Sequence, residues 1–160
     1  MKEIQLTQGK VALVDDEDFD YLNQFKWYTN KCGHGYDKFY AVRLNKHENV
    51  HMHRLIMNTP DGFYTDHIDG DGLNNQKNNL RICTSSQNQA NKKKCKNNNC
   101  GFKGVHLDKP RNKWKATIHK NNKTIFLGRF DTPQEAAKNY DKAARKYFGE
   151  FAELNFGGKD

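Results

Sequence analysis

The sequence predicts an α+β protein: a strand, loop, strand, helix segment preceded by a small β-rich stretch, then a three-stranded antiparallel sheet packed on one helix. Three observations predict it. Lys113-Trp114-Lys115-Ala116-Thr117-Ile118-His119 alternates strictly, with Trp114, Ala116 and Ile118 on one face and Lys113, Lys115, Thr117 and His119 on the other. Thr132-Pro133-Gln134-Glu135 is a capping box with proline at the first helical position, and Ala136, Ala137, Tyr140, Ala143, Ala144 and Tyr147 follow at helical spacing. Between strand-like residues leading into Asp66-His67 and a return strand over Leu80 to Thr84 lies a loop rich in Gly, Asp and Asn. Ser85 and Ser86 then N-cap a polar helix running through Asn88 toward Lys93.

The opening elements follow from the same signals. Ile4 to Val14 reads as two short strands around Gln8-Gly9, and Asp15 to Phe25 as a short helix opened by acidic residues. Trp27 to Thr29 and Phe39 to Leu44 pair across Gly33 and Gly35, and Met52 to Met57 is a short helix. Gly104 to Asp108 and Lys123 to Phe130 flank the alternating strand, the latter joined to it by a turn at Asn121-Asn122.

At 160 residues the chain fits one domain or two very small ones. Only 35% of residues are hydrophobic and mean hydropathy is -1.07, so no stretch approaches the roughly 20 apolar residues of a membrane span. Met1 to Lys10 lacks an apolar signal core, which predicts a reducing intracellular setting with Cys32, Cys83, Cys95 and Cys100 as free thiols. Charge divides unevenly: residues 1–90 hold 10 basic and 12 acidic side chains, net −2, and residues 91–160 hold 17 and 7, net +10. A small basic unit of this kind suits a polyanion, nucleic acid above all. The polar stretch from Lys92 to Gly101 has no apolar periodicity and reads as a basic linker.

Three chemistries suit the central loop. Asp69-Gly70-Asp71-Gly72 resembles the start of a calcium loop, but Leu80 stands where the bidentate glutamate belongs. A zinc site lacks paired C-x-x-C spacing, leaving Cys95 and Cys100 with His53 or Cys83 as a remote set. The third is phosphodiester hydrolysis, which needs a base for the attacking water and a hard cation for the phosphate; His67 beside Asp66 offers both. Asp69, Asp71, Asn74 and Asn75 read as loop-shaping residues.

From about His53 to Asn91 the residues resemble the HNH endonucleases with a ββα-metal fold, of the phage or mobile-element homing type. Asp66-His67-Ile68-Asp69-Gly70, Asn74-Asn75 and Asn79-Leu80 carry the likeness. The resemblance implies that Asp66 ligates the metal, His67 is the general base and Asn79 holds the loop and orients the histidine. It places Asn88 as second metal ligand, where many members have His. An amide oxygen suits Mg²⁺ or Mn²⁺ better than Zn²⁺, and one such ion per site is expected. His53-Arg54 recurs upstream of this motif in similar proteins, where either phosphate and supporting contacts or simple packing account for it.

Residues 101–156 resemble the apetala-two/ethylene-response-factor DNA-binding domain through Gly104-Val105, Trp114-x-Ala116-x-Ile118, Leu127-Gly128-x-Phe130, Glu135-Ala136-Ala137, Tyr140-Asp141, Phe148-Gly149 and Leu154-Asn155-Phe156. The resemblance puts DNA contacts on Lys103, His106, Lys115, Thr117, His119, Thr124 and Phe126; Lys113 and Arg54 are added as basic candidates. The plant-type pattern has Arg at Lys103, His106, His119 and Thr124 and Trp at Phe126, so its base preference does not transfer.

The sequence thus predicts a nuclease domain over 1–91 with its ββα core at about 63–91, a linker over 92–100 and a DNA-binding domain over 101–156. The expected activity is metal-dependent cleavage or nicking of double-stranded DNA by a monomer or DNA-assisted dimer, in the cytoplasm of a host bacterium, with no membrane partner. Two rivals are a non-catalytic DNA-binding regulator and an enzyme cutting RNA or branched DNA.

Overall fold

The computed structural model describes residues 1–32, 38–46, 48–94 and 100–157, the side chain of Cys32 excepted. In chain order the elements are β1 (Lys2–Gln5), β2 (Val11–Val14), α1 (Asp16–Leu22), β3 (Tyr28–Cys32), β4 (Lys38–Asn45), β5 (Glu48–His51), α2 (Met52–Ile56), β6 (Tyr64–His67), β7 (Leu80–Cys83), α3 (Ser85–Asn91), β8 (Val105–Asp108), β9 (Lys113–Lys120), β10 (Lys123–Phe130) and α4 (Pro133–Phe148). The protein is α+β, and its chain divides into two compact units, Met1–Thr84 and Ser85–Asp160. The turn expected at Gly33 and Gly35, the thiol of Cys95 and linker residues 95–99 lie outside the described residues.

In the first unit β1 and β2 form an antiparallel pair, β3, β4 and β5 an antiparallel sheet in that order, and β6 and β7 a hairpin. Helix α1 begins with Asp16, Glu17 and Asp18 in its first turn, where carboxylates suit the positive end of the helix dipole. Its core holds Ile4, Leu6, Ala12, Val14, Leu22, Trp27, Ala41 and Met52. Trp27 is 2% exposed, and its indole N–H donates to the Leu22 carbonyl at 2.9 Å, so the largest core side chain carries no unsatisfied donor.

The loop between β6 and β7 is stitched to β2. The Leu13 N–H donates to Leu73 O at 2.9 Å and the Asn75 N–H to Leu13 O at 2.8 Å, while Asp15 accepts from the Lys77 N–H at 2.8 Å. A Cβ at Gly72 would meet the Phe39 carbonyl oxygen at 2.3 Å and the Tyr40 ring at 2.7 Å, so only glycine lets the loop lie this close to β4. A polar loop with a short 3-10 turn at Lys77–Asn79 is thereby held at fixed depth beside the hairpin.

In the second unit the sheet runs β10-β9-β8, all antiparallel. Ala116 and Ile118 are buried and pack under α4, whose Ala136, Ala137, Tyr140, Ala144 and Phe148 form the facing stripe. Both halves of the capping box are formed: Thr132 Oγ1 accepts from the Glu135 N–H at 3.2 Å, and Glu135 accepts from the Thr132 N–H at 3.2 Å. Gly104 sits at φ +73°, with a Cβ position 2.2 Å from the Tyr140 ring, which explains glycine at the entry to β8.

Helix α3 belongs to this second unit. Ala90 lies in the cluster with Ile118, Tyr140, Ala144, Phe148 and Ala152. The Ala90 carbonyl accepts from the Glu153 N–H at 3.1 Å and from the Lys103 ammonium, a cation where the helix dipole is negative. At the other end, Ser86 Oγ accepts from the Asn121 N–H at 3.2 Å.

Candidate active site and nucleic-acid interface

Asp66 and His67 are consecutive on β6, so their side chains leave the strand in opposite senses. Asp66 is 3% exposed and stands opposite Arg81 on β7. Its Oδ2 accepts from Arg81 Nε at 3.1 Å and Nη2 at 3.0 Å. Asp66 is thus paired with a guanidinium in a nearly water-free place, and a carboxylate is a donor that a hard divalent cation takes. Among the described residues, no group of three or more His, Cys, Asp or Glu is arranged to hold a metal ion.

His67 is 1% exposed, and its Nε2 lies 3.4 Å from Asn75 Oδ1. The Asn75 amide nitrogen is committed to the Leu73 carbonyl at 3.0 Å, which fixes Oδ1 as the atom facing the histidine. An amide oxygen accepts only, so Nε2 carries the proton and Nδ1 is the basic nitrogen. Burial pushes the His67 pKa below its ordinary 6.5, opposed by the Asn75 hydrogen bond and by Asp69 and Asp66. At neutral pH the imidazole is therefore uncharged and able to accept a proton.

The rings of Tyr40 and His53 pack against His67, with centroids 5.8 Å and 4.9 Å away. His51 follows at 5.3 Å from His53. Three segments, β4, the β5–α2 junction and β6, meet at this cluster.

Asn79 acts on the loop. Its Nδ2 donates to Asp69 Oδ1 at 3.0 Å and to Asn74 O at 2.8 Å, and its Oδ1 accepts from the Asp69 N–H at 3.1 Å. Burial raises the Asp69 carboxyl, and hydrogen bonds from the Asp71 N–H, Asn74 and Asn79 outweigh it, leaving the group below its usual range. Asn75, which the sequence reading grouped with the turn formers, is the residue in contact with His67; its side chain is the second amide of an Asn-Asn pair, which local pattern does not separate from the first. Arg54 donates to Phe63 O at 2.8 Å and Thr59 O at 3.4 Å, closing the α2–β6 connection. Asn88 lies on α3 in the second unit and is partly buried.

On the sheet of the second unit, cross-strand partners His106 and Lys115, Thr117 and Phe126, and His119 and Thr124 share the face opposite α4. His119 Nδ1 lies 3.2 Å from Thr124 Oγ1, and Phe126 is 52% exposed. Lys113 pairs with Asp131. Lys103 is drawn inward to α3, and its backbone N–H donates to Asn155 Oδ1 at 2.6 Å. Arg129 was not among the sequence candidates: strict alternation from Thr124 and Phe126 assigns it to the inner face, but a bulge at Leu127 turns it outward opposite Lys115.

Family comparison agrees with both halves. Residues 50–90 match the HNH endonuclease family model, and residues 100–150 match the AP2 domain. An uncharacterised HNH endonuclease of Acanthamoeba polyphaga mimivirus is 33% identical over 150 residues, spanning 92% of this chain and 76% of that protein. Protein 3.8 of Escherichia phage T7 is 36% identical over 93 residues, 58% of this chain and 76% of that protein. Dehydration-responsive element-binding protein 2A of Arabidopsis thaliana is 42% identical over 66 residues, 40% of this chain and 19% of its own length. No solved structure matches the chain significantly. With likeness to the viral endonuclease running nearly end to end and the second unit matching separately, the chain belongs to the HNH endonuclease family, with an AP2 domain following its nuclease domain.

Proposed function

We propose that the protein is a metal-dependent endodeoxyribonuclease of the homing type, in which a nuclease domain over 1–91 is joined through 92–100 to a DNA-binding domain over 101–156. The observation that carries this reading is His67: buried, uncharged, and oriented through Nε2 by Asn75, beside a carboxylate inside the HNH match. His67 Nδ1 takes a proton from the attacking water, and Asn75 holds the ring while Asn79 holds the loop. Asp66 and Asn88 offer one carboxylate and one amide oxygen to a divalent ion, Mg²⁺ or Mn²⁺, which when bound supplies charge neutralisation at the phosphate and the leaving oxygen. Products carry 3′-hydroxyl and 5′-phosphate ends. One active site per chain makes nicking by a monomer the basic event, with double-strand cleavage through paired or sequential action.

Double-stranded DNA is the partner, held by the AP2 sheet through Lys115, His119 and their neighbours, with a +10 charge over residues 91–160 adding affinity. Among the described residues, no helix is long and apolar enough to cross a membrane. The relation to a phage protein supports action inside a bacterial host. The test is cleavage of a supercoiled DNA library containing the host genome, with Mg²⁺ or Mn²⁺ against EDTA, beside His67→Ala. Metal-dependent nicking lost in the variant supports the reading; binding without cleavage by either protein favours the non-catalytic regulator, and cleavage confined to RNA or branched DNA moves the substrate.

A further inference from the structure

The bulge in β10 creates an arrangement that neither family match assigns. Phe126 stands opposite Thr117, Gly128 opposite Ala116 and Arg129 opposite Lys115, which leaves Leu127 without a cross-strand partner. Leu127 and Phe130 pack into the core, while Phe126 and Arg129 both face outward. Arg129 is the sole arginine in the three strands of this sheet.

Two contacts orient its guanidinium. Nε donates to Asp108 Oδ2 at 2.6 Å, and the group lies over the Phe126 ring, 5.0 Å from the centroid. Asp108 is 11% exposed and also has Arg111 Nη1 at 3.7 Å, so its carboxylate is a fixed anchor, not a waving surface charge. The hydrogen bond from Arg129, ahead of opposing burial, holds the Asp108 carboxyl below its usual range and keeps it an acceptor. An arginine gripped through Nε and stacked on an aromatic face presents its two terminal amino groups as a fixed fork. That fork matches O6 and N7 of guanine in the major groove. Lysine and histidine, the other basic types on this face at Lys115, His106 and His119, have no such fork.

We propose that Arg129, aligned by Asp108 and Phe126, is the guanine-reading side chain of the sheet and sets base specificity at one position of the target. This rests on the DNA-binding reading of the sheet. The experiment is site selection from a random duplex pool by the full chain in EDTA, repeated with Arg129→Lys, Asp108→Asn and Lys115→Ala. Lysine keeps the charge and removes the fork. The expected result is a wild-type consensus containing a guanine whose enrichment disappears with Arg129→Lys and weakens with Asp108→Asn, all other positions persisting. On a fixed consensus duplex, replacing that guanine should weaken wild-type binding roughly tenfold to hundredfold and leave Arg129→Lys unaffected. The same consensus and guanine sensitivity in Arg129→Lys overturns the assignment, as does a wild-type pool with no enriched guanine while Lys115→Ala still weakens binding. If wild type enriches nothing and Lys115→Ala binds equally well, the DNA-binding reading of the sheet falls with it.

Discussion

The ring of His53 stands edge-on to that of His67, with centroids 4.9 Å apart and planes at 78°. Burial, followed by charge on His67, pushes the His53 pKa from 6.5 down to about 2, so it packs as a neutral aromatic. In the unfolded chain His53 titrates at its ordinary value. Between the two values the unfolded state holds the extra proton, so stability is complete above 6.5 and declines on acidification. The slope is about 1.4 kcal/mol per pH unit for this group. His53→Gln should therefore have a shallower loss of urea stability between about pH 7 and 5 than wild type, His67 and His51 supplying what acid sensitivity remains. Equal slopes would mean that His53 titrates normally in the folded protein.

Removing the base and removing its orienting amide should differ in kind. His67→Ala should lower the cleavage rate roughly 10²–10⁴-fold. Asn75→Asp should instead move the acid limb of the pH–rate profile upward, because a carboxylate at Nε2 stabilises the imidazolium and a higher pH is then needed for a neutral base. A profile unchanged in Asn75→Asp would show that the Asn75 contact does not govern the titrating base.

The ion pair of Asp66 and Arg81 is nearly sealed from water, with side-chain exposures of 3% and 11%. Arg81→Met removes the guanidinium paired with a buried carboxylate and should cost about 3–5 kcal/mol in urea unfolding. Arg81→Met combined with Asp66→Asn should recover most of that loss. Added Mn²⁺ should stabilise Arg81→Met more than wild type, because a cation then replaces the lost guanidinium beside the carboxylate, and should not stabilise the double variant.

Lys115 faces outward from β9 beside His106 and Arg129. If it neutralises one phosphate, Lys115→Ala should flatten the log–log dependence of DNA affinity on salt by roughly 0.9 units. Cleavage at saturating protein should be spared. An unchanged slope would take Lys115 off the DNA backbone.

Much of this architecture is legible in the chain. Strict alternation in β9, the capping box of α4 and the acid-rich first turn of α1 are local signals, and each element forms where it is predicted. Strand β5 was not predicted, because its exposed and half-buried residues lack an alternating pattern. The site divides in the same way. Asp66, His67, Asn75 and Asn79 are visible as a spaced motif and His53 as a supporting or packing residue upstream of it, whereas their contacts are not: Tyr40 and His53 reach His67 only through the fold, and the motif does not say which amide faces the ring. Arg81 becomes visible as the partner of Asp66 only once the β6–β7 register is known. The bulge at Leu127 leaves one signal, Gly128 inside the strand, since an interior glycine often marks a bulge; which residues it turns outward is set only by the register.

The way α3 is anchored bears on where this protein can be cut and recombined. The polar run beginning at Lys92 looks like a natural joint, yet Ala90 fills part of the second unit's core and Ser86 receives an N–H from the β9–β10 turn. A fragment starting after that run would begin with a hole in its interior and lose a helix that Lys103 and Glu153 are built to hold. Packing therefore sets the edge of the second compact unit at Ser85, ahead of the polar run and inside the stretch that matches the nuclease family.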